Sequence, residues 1–150
     1  MILTLQQRAR QLALFLAIFL PLCVNAQKPA SSEIVFMENA WPQALKQAAQ
    51  QNKYIFVDAW ATWCKPCKML KSTTFKNEAV AQFYNKNFVS VAIDVEKGMG
   101  PQLAQKWGIR ALPTLMVFDK EGNLITYIEG FISAADLLKF GKHALSAKGK

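Results

Sequence analysis

The chain has 150 residues and a formal net charge of +8 at pH 7, and 52% of its residues are hydrophobic while 19% are charged. This composition excludes collagen-like, coiled-coil and intrinsically disordered proteins, and the length is enough for one domain with an ordinary core and a short extension. The positive charges occur as single lysines without an arginine-rich stripe, so the sequence predicts no nucleic-acid partner.

The N-terminal 26 residues have the three parts of a secretory signal peptide. Arg8 and Arg10 give a basic start, the run from Leu12 to Val24 carries no charge, and the small side chains of Val24 and Ala26 stand where a signal peptidase cleaves. The apolar run is shorter than the roughly 20 residues that a membrane-spanning helix needs. We therefore expect cleavage near Ala26 and a periplasmic or secreted location.

Three other interpretations of this segment stay open. They are an uncleaved membrane anchor, a buried core helix, and lipid attachment at Cys23, which would want a small residue where Leu22 stands. After the signal peptide, residues 27–32 are predicted to form a short tether. Residues 33–147 are predicted to form a single domain, because no repeat or low-complexity segment divides them.

From residue 34 onwards the apolar residues switch between the periods of strands and helices. Asn39 is a plausible N-cap for a first helix that would bury Trp41, Leu45, Ala48 and Ala49. Strands are predicted at 34–37, 54–60, 88–94, 114–118 and 124–130, and helices at 39–51, 64–71, 78–85, 100–107 and after a capping box at 133–136. Strands that alternate with helices and end in a hairpin predict an α/β domain with a mixed sheet.

Removal of the signal peptide leaves two cysteines, Cys64 and Cys67. One close pair cannot form a disulfide framework for the fold. Structural zinc would need about four ligands, and the only histidine is the distant His143. Covalent haem attachment would need a histidine where Lys68 stands. The pair is therefore predicted to be redox-active, with an inert local disulfide as the alternative, and neither a metal nor a diffusible cofactor is expected.

The predicted position of Cys64, where a strand ends and a helix begins, favours its thiolate. Unpaired backbone N–H groups and the positive end of the helix dipole face a side chain at that position. Lys65 and Lys68 add positive charge nearby. We expect Cys64 to be the attacking nucleophile, and Cys67, one turn further on, to resolve the mixed disulfide by attacking Cys64. Pro66 suits the first helical turn.

Two residues outside the motif are candidates for supporting roles. Asp58 lies within an apolar strand, where burial would raise its proton affinity, so it could accept the Cys67 proton; a satisfied or edge-exposed aspartate is the alternative. Pro113 precedes another apolar strand and is either an ordinary strand-entry proline or a cis proline. A cis proline could present the Leu112 backbone to a client peptide, and Trp63 is expected to line the same site.

The segments 57–68 (VDAWATWCKPCK) and 107–114 (WGIRALPT) together resemble the thioredoxin superfamily. Within it, the chain is most similar to secreted thioredoxin-like proteins and to the periplasmic C-terminal domain of the transmembrane thiol:disulfide interchange reductase. The resemblance covers residues 34–145. It implies a thioredoxin fold, with a central five-stranded mixed sheet in the order 1-3-2-4-5 flanked by helices. It also implies that Cys64 is the nucleophile, Cys67 the resolving thiol, Asp58 the buried acid and Pro113 the cis proline.

Two positions depart from the pattern of cytoplasmic thioredoxins. Lys65 replaces a glycine between the cysteines, and Ser90 stands where those proteins carry a lysine that pairs with the buried acid. Both departures bear on the redox potential of the pair.

The Cys64–Cys67 pair with Asp58 and Pro113, downstream of a signal peptide, predicts a protein-disulfide reductase. We expect a monomer that binds protein disulfides through Trp63, Lys65, Pro66 and Leu112. A membrane-embedded thiol reductase would be its electron donor. A disulfide oxidase or isomerase, or a thioredoxin-fold binding or chaperone module, are the alternatives.

Overall fold

The computed structural model of the protein describes residues 31–147, so the predicted signal peptide and tether residues 27–30 lie outside the described residues. The strands are β1 (Phe36–Glu38), β2 (Tyr54–Trp60), β3 (Phe88–Asp94), β4 (Thr114–Phe118) and β5 (Leu124–Glu129). The helices are α1 (Trp41–Gln51), α2 (Lys65–Ser72), α3 (Glu78–Asn87), α4 (Gly100–Trp107) and α5 (Ala134–Ser146), with an unpredicted 3-10 turn at Thr74–Lys76. The predicted order of strands and helices is confirmed.

The five strands form one mixed sheet in the order β1-β3-β2-β4-β5. Strands β1 and β2 both pair in parallel with β3, whereas β4 runs antiparallel to β2 and to β5. This arrangement places β2 at the centre, where helices cover both of its faces. The α/β thioredoxin fold with a five-stranded mixed sheet, expected from the resemblance, is therefore confirmed.

The two faces of the sheet carry separate apolar clusters, because successive side chains of a strand point to opposite sides. Helices α1 and α4 cover one cluster, in which Trp41 and Leu103 pack with Val57 of β2. The other cluster includes Leu70 of α2 and Phe56 of β2, and α3 and α5 also contribute to it. Asp58 is two residues from Phe56, so its side chain belongs to the face that α2 covers.

The predictions for the first helix are partly wrong. Asn39 does not cap α1, because its backbone is left-handed, with a φ of 52°, and Ala40 holds the cap position without a side-chain hydrogen bond. Asn39 instead accepts the backbone N–H of Asp94 on its Oδ1 at 2.8 Å, which ties the end of β1 to the end of β3. Ala49 is exposed, and Ala44 is buried beside Trp41 in its place.

The strand predicted at 88–94 is confirmed as β3. All seven of its residues are buried, because β3 lies between two strands and under helices on both faces. Ser133 caps the last helix as predicted, because its Oγ accepts the backbone N–H of Asp136 at 3.2 Å. The Asp136 carboxylate accepts the Ser133 hydroxyl at 2.7 Å, in place of the backbone N–H that a full capping box would use. Within residues 31–147, no helix is long and apolar enough to cross a membrane.

Candidate active site

Cys64 stands at the junction between β2 and α2. It is the N-cap residue of α2, and its Sγ accepts the backbone N–H of Cys67 at 3.2 Å, as an oxygen does in ordinary helix caps. The two cysteines are joined by a disulfide, with 5.3 Å between their Cα atoms. The strand-to-helix position predicted for Cys64 is therefore present, and Pro66 lies in the first turn as expected.

The disulfide is almost completely covered by apolar side chains. Cys64 is 2% exposed and Cys67 is 1% exposed. Both pack with Ala61, and Trp60 and Leu112 lie against this group. Trp60 is therefore the tryptophan that packs against the buried cysteine group.

Asp58 is buried in the middle of β2. Its side chain is fully enclosed, and neither carboxylate oxygen has a hydrogen-bond partner within the described part of the chain. Burial raises the pKa of Asp58 from 3.8 to about 7, the positive charge of Lys71 partly opposes this rise, and the negative charge of Glu38 adds to it. A carboxyl group with such a pKa can exchange a proton near neutral pH.

Pro113 follows a cis peptide bond, the second of the two forms that the sequence left open. Pro113 is buried at the start of β4, and its carbonyl oxygen accepts the backbone N–H of Gly130 at 2.8 Å. Leu112, the preceding residue, packs against the disulfide group. The proline loop and the β5–α5 loop are therefore joined to each other beside the cysteines.

Large apolar side chains are exposed on the elements that carry the candidate site residues. Trp63 is 65% exposed, and its indole Nε1 donates to Glu96 Oε1 at 2.8 Å, which fixes the ring at the surface. Met69 of α2 and Phe131, which follows Gly130, are also large exposed apolar side chains. Of the other predicted binding residues, Lys65 is exposed and Pro66 is half-buried.

The sequence interpretation missed Met69, Phe131 and Lys71. Lys71 lies at the end of α2, and its Nζ is 3.2 Å from the centroid of the Trp60 ring. The available signal was the spacing of four residues from Cys67, which places both side chains on one face of a helix. No comparable signal marks Phe131, because its position depends on the hydrogen bond between Gly130 and Pro113.

The site shows no arrangement suited to a metal ion. Among residues 31–147, no group of three or more His, Cys, Asp or Glu side chains could hold one. His143 is exposed on α5. The groups that could do chemistry here are the two sulfur atoms, the buried carboxyl group of Asp58 and the charge of Lys71.

Comparison with known proteins identifies one matching family and several similar proteins. A family model described as a thioredoxin-like domain matches residues 41–145. The thiol:disulfide interchange protein DsbD of Yersinia pestis is 32% identical over 120 residues, which make up 77% of this chain and 20% of that protein. DsbD of Campylobacter jejuni is 35% identical over 99 residues, or 65% of this chain and 17% of that protein. The chain thus spans about a fifth of the length of these relatives.

Solved structures extend the comparison to the fold. The solution structure of a candidate disulphide-isomerase from Bacteroides thetaiotaomicron is 39% identical, covers 78% of this chain and 97% of its own, and has a TM-score of 0.69. A thioredoxin from Thermus thermophilus, 20% identical with a TM-score of 0.67, covers 76% of this chain and 89% of its own and shares the fold. The family match over most of the chain, the sheet order and the Cys64–Cys67 pair show that this protein belongs to the thioredoxin-like family of disulfide oxidoreductases.

Proposed function

We propose that the protein reduces disulfide bonds of other proteins in the periplasm or outside the cell, through a dithiol that is oxidised to the Cys64–Cys67 disulfide. The observation that carries this proposal is the disulfide itself, formed between the N-cap and the first turn of α2 beside a cis proline. In this arrangement a thiolate at Cys64 accepts a backbone N–H and lies at the positive end of a helix.

The first step forms a mixed disulfide. The Cys64 thiolate attacks one sulfur of the client disulfide, a bond forms between the two sulfurs, and the client's S–S bond breaks. The leaving client sulfur departs as a thiolate and takes a proton from water. Lys65, in the first turn of α2, adds positive charge that favours the attacking thiolate.

The second step releases the client. The Asp58 carboxylate accepts the proton of the Cys67 thiol, and the Cys67 sulfur attacks Cys64. The Cys64–Cys67 disulfide forms, the bond from Cys64 to the client breaks, and the second client sulfur leaves as a thiolate. Two electrons have then passed from the protein to the client. The pKa of about 7 supports this role for Asp58, because about half of such groups are ionised at neutral pH.

The exposed apolar side chains on the elements that carry Cys64 and follow Pro113 form the proposed client site. Trp63, Met69 and Phe131 supply apolar area, and the Leu112 backbone before the cis proline could pair with an extended client segment. Lys65 and Pro66 border it. The site is complete within one chain, which supports a monomer as the active form.

A reductant outside the cytosol needs a supply of electrons. The similarity to part of DsbD, a thiol:disulfide interchange protein, supports a membrane-embedded thiol reductase as the donor that returns the Cys64–Cys67 disulfide to the dithiol. The N-terminal sequence supports export. No diffusible cofactor enters the proposed steps, because the sulfur atoms carry the electrons.

Disulfide isomerisation is the second candidate, favoured by the 39% identity to the candidate disulphide-isomerase of Bacteroides thetaiotaomicron. An isomerase can attack and leave again through Cys64 alone. A Cys67→Ser variant therefore separates the two activities: it would lose turnover as a reductase and retain activity in refolding scrambled ribonuclease.

Insulin reduction with dithiothreitol as the electron source tests the main proposal. We expect Cys64→Ser to abolish the acceleration of insulin precipitation, because no first bond can form. Cys67→Ser should accumulate a mixed disulfide with insulin, visible by non-reducing electrophoresis. His143→Ser, at an exposed position of α5, should match the wild type. Insulin reduction that survives in Cys64→Ser would refute the proposal.

A further inference from the structure

We propose that Lys71 is a positioning residue for Asp58, supplying from helix α2 the positive charge that keeps the carboxylate ready to accept the Cys67 proton. This inference deepens the proposed function and rests on it. Its starting point is that Asp58 is a fully buried carboxyl group without a hydrogen-bond donor in the described part of the chain. Such a group needs a compensating charge to ionise.

The strands beside Asp58 supply no such positive charge. On β3 its paired residue is Ala92, and Ser90, which precedes Ala92 on the same face, is neutral. On β4 the paired residue is the apolar Leu115. On β1, Glu38 pairs with Ala92 and so lies on the same face as Asp58, where its negative charge opposes ionisation.

Asp94, at the end of β3, lies on the same face because it pairs with Trp60. It is neutralised locally by Lys97, whose Nζ is 3.2 Å from its Oδ2. Helix α2 closes this face of the sheet, and its titratable groups on this side are Cys67, in the reduced protein, and Lys71. The positive charge that acts on Asp58 is that of Lys71.

Lys71 is held in place by an aromatic ring rather than by a carboxylate. Its Nζ lies over the Trp60 ring, 3.2 Å from the centroid, a distance at which cation–π attraction is strong. Between residues 31 and 147, no carboxylate lies within 4.0 Å of its Nζ, and the ion pairs there use other lysines. Its charge is therefore not neutralised by an adjacent carboxylate and acts on Asp58 across the interior.

The same ring links this charge to the cysteines, because Trp60 also packs against the Cys64–Cys67 group. A cavity of about 340 Å³ adjoins this arrangement and is lined by Lys71, Glu38 and Glu33 among others. Water can thus hydrate the two charges that flank Asp58, while Asp58 itself is fully enclosed. The Lys71 charge favours the ionised Asp58, and a larger ionised fraction speeds the transfer of the Cys67 proton before its sulfur bonds to Cys64.

The test is an NMR titration of the side-chain carboxyl carbon of Asp58, in the disulfide form of the full chain. The signal of this carbon is assigned by its absence from the spectrum of Asp58→Asn. Lys71→Met removes the charge and keeps the aliphatic stem. We expect the midpoint of the Asp58 titration in this variant to lie about one pH unit above that of the wild type. Lys71→Arg retains both the charge and the ring contact and should titrate like the wild type. Lys142→Met, an exposed lysine of α5, controls for the loss of net charge.

The pH profile of insulin reduction supplies a second readout. We expect the Lys71→Met profile to move to higher pH together with the Asp58 midpoint, with activity recovering in alkaline buffer. An unmoved midpoint in Lys71→Met, or an equal shift in Lys71→Arg, would overturn the inference. The proposed function would still stand in that case if Cys64→Ser abolishes insulin reduction. Conversely, a shifted midpoint in a protein that never reduces insulin would refute the function and leave the role of Lys71 intact.

Discussion

Asp58 is an acid that the fold holds partly protonated at neutral pH, and this has a cost for stability. Its pKa is 3.8 in an unfolded chain and about 7 in the native protein. Between these values the native state binds a proton that the unfolded state has released, so the free energy of unfolding falls as pH rises. The slope is about 1.4 kcal/mol per pH unit, and the loss is complete above the native pKa.

We therefore expect Asp58→Asn to gain stability relative to the wild type as pH increases. The difference in the free energy of unfolding between the two proteins should grow by about 3 kcal/mol from pH 5 to pH 8. Urea unfolding of each protein in its disulfide form measures this difference. Any cost of burying an amide is independent of pH and cancels in this comparison. An equal difference at both pH values would contradict the raised pKa of Asp58.

Asp119 offers a control of opposite sign. Partial burial acts to raise the pKa of Asp119, but the hydrogen bonds that its carboxylate accepts from Asn123 and Glu121 lower this pKa overall. Its contribution to stability is therefore present above its unfolded pKa and is lost as pH falls through its native pKa. Asp119→Asn should destabilise the protein at neutral pH, and this effect should shrink on acidification.

Single residues differ in how far the sequence identifies them. The position of Cys64 and the burial of Asp58 follow from local patterns, namely a strand-length apolar run and the spacing of two cysteines. The contact of Lys71 with Trp60 does not, because it joins α2 to β2 and depends on how the helix lies on the sheet. Asn39 was predicted wrongly for the same reason, since its long-range bond to Asp94 replaces a local helix cap.

Among the connecting elements, the turn between β3 and α4 contacts the site through two successive residues. Val95, which packs against the disulfide group, donates its backbone N–H to Trp60 at 2.9 Å, and Glu96 holds Trp63. The turn closes where Gly100 begins α4, and a Cβ at Gly100 would overlap the backbone carbonyl of Asp94. The atoms nearest to such a Cβ are all backbone atoms of Asp94 and Val95, so no flexible side chain could move aside to make room.

We expect Gly100→Ala to lower the free energy of unfolding by about 3 kcal/mol, the upper part of the range for overpacking. Gln102→Ala, at an exposed position of the same helix, should change it by less than about 0.5 kcal/mol. Urea unfolding of the two variants and the wild type measures both effects. A Gly100→Ala protein as stable as the wild type would show that the turn can shift to accommodate a methyl group.

For the whole molecule, the sequence predicts the fold well because the periods of its apolar residues are regular and its connections are short. The order of five strands and five helices, and the mixed sheet, follow from those patterns together with the resemblance to the thioredoxin superfamily. The direction of electron flow does not follow from them. It depends on the relative stability of the dithiol and the disulfide, to which Lys65, Asp58 and Lys71 contribute charges of both signs.

The reduction potential of the Cys64–Cys67 pair is the measurement that tests the proposed function most directly. Equilibration of the protein against dithiothreitol and glutathione buffers, with thiol trapping, gives this value. A protein-disulfide reductase should have a potential near that of thioredoxin, about −270 mV, so that electrons flow to client disulfides. A potential near those of protein disulfide isomerase or DsbA, about −180 to −120 mV, would refute the reductase function and favour disulfide isomerisation or formation instead.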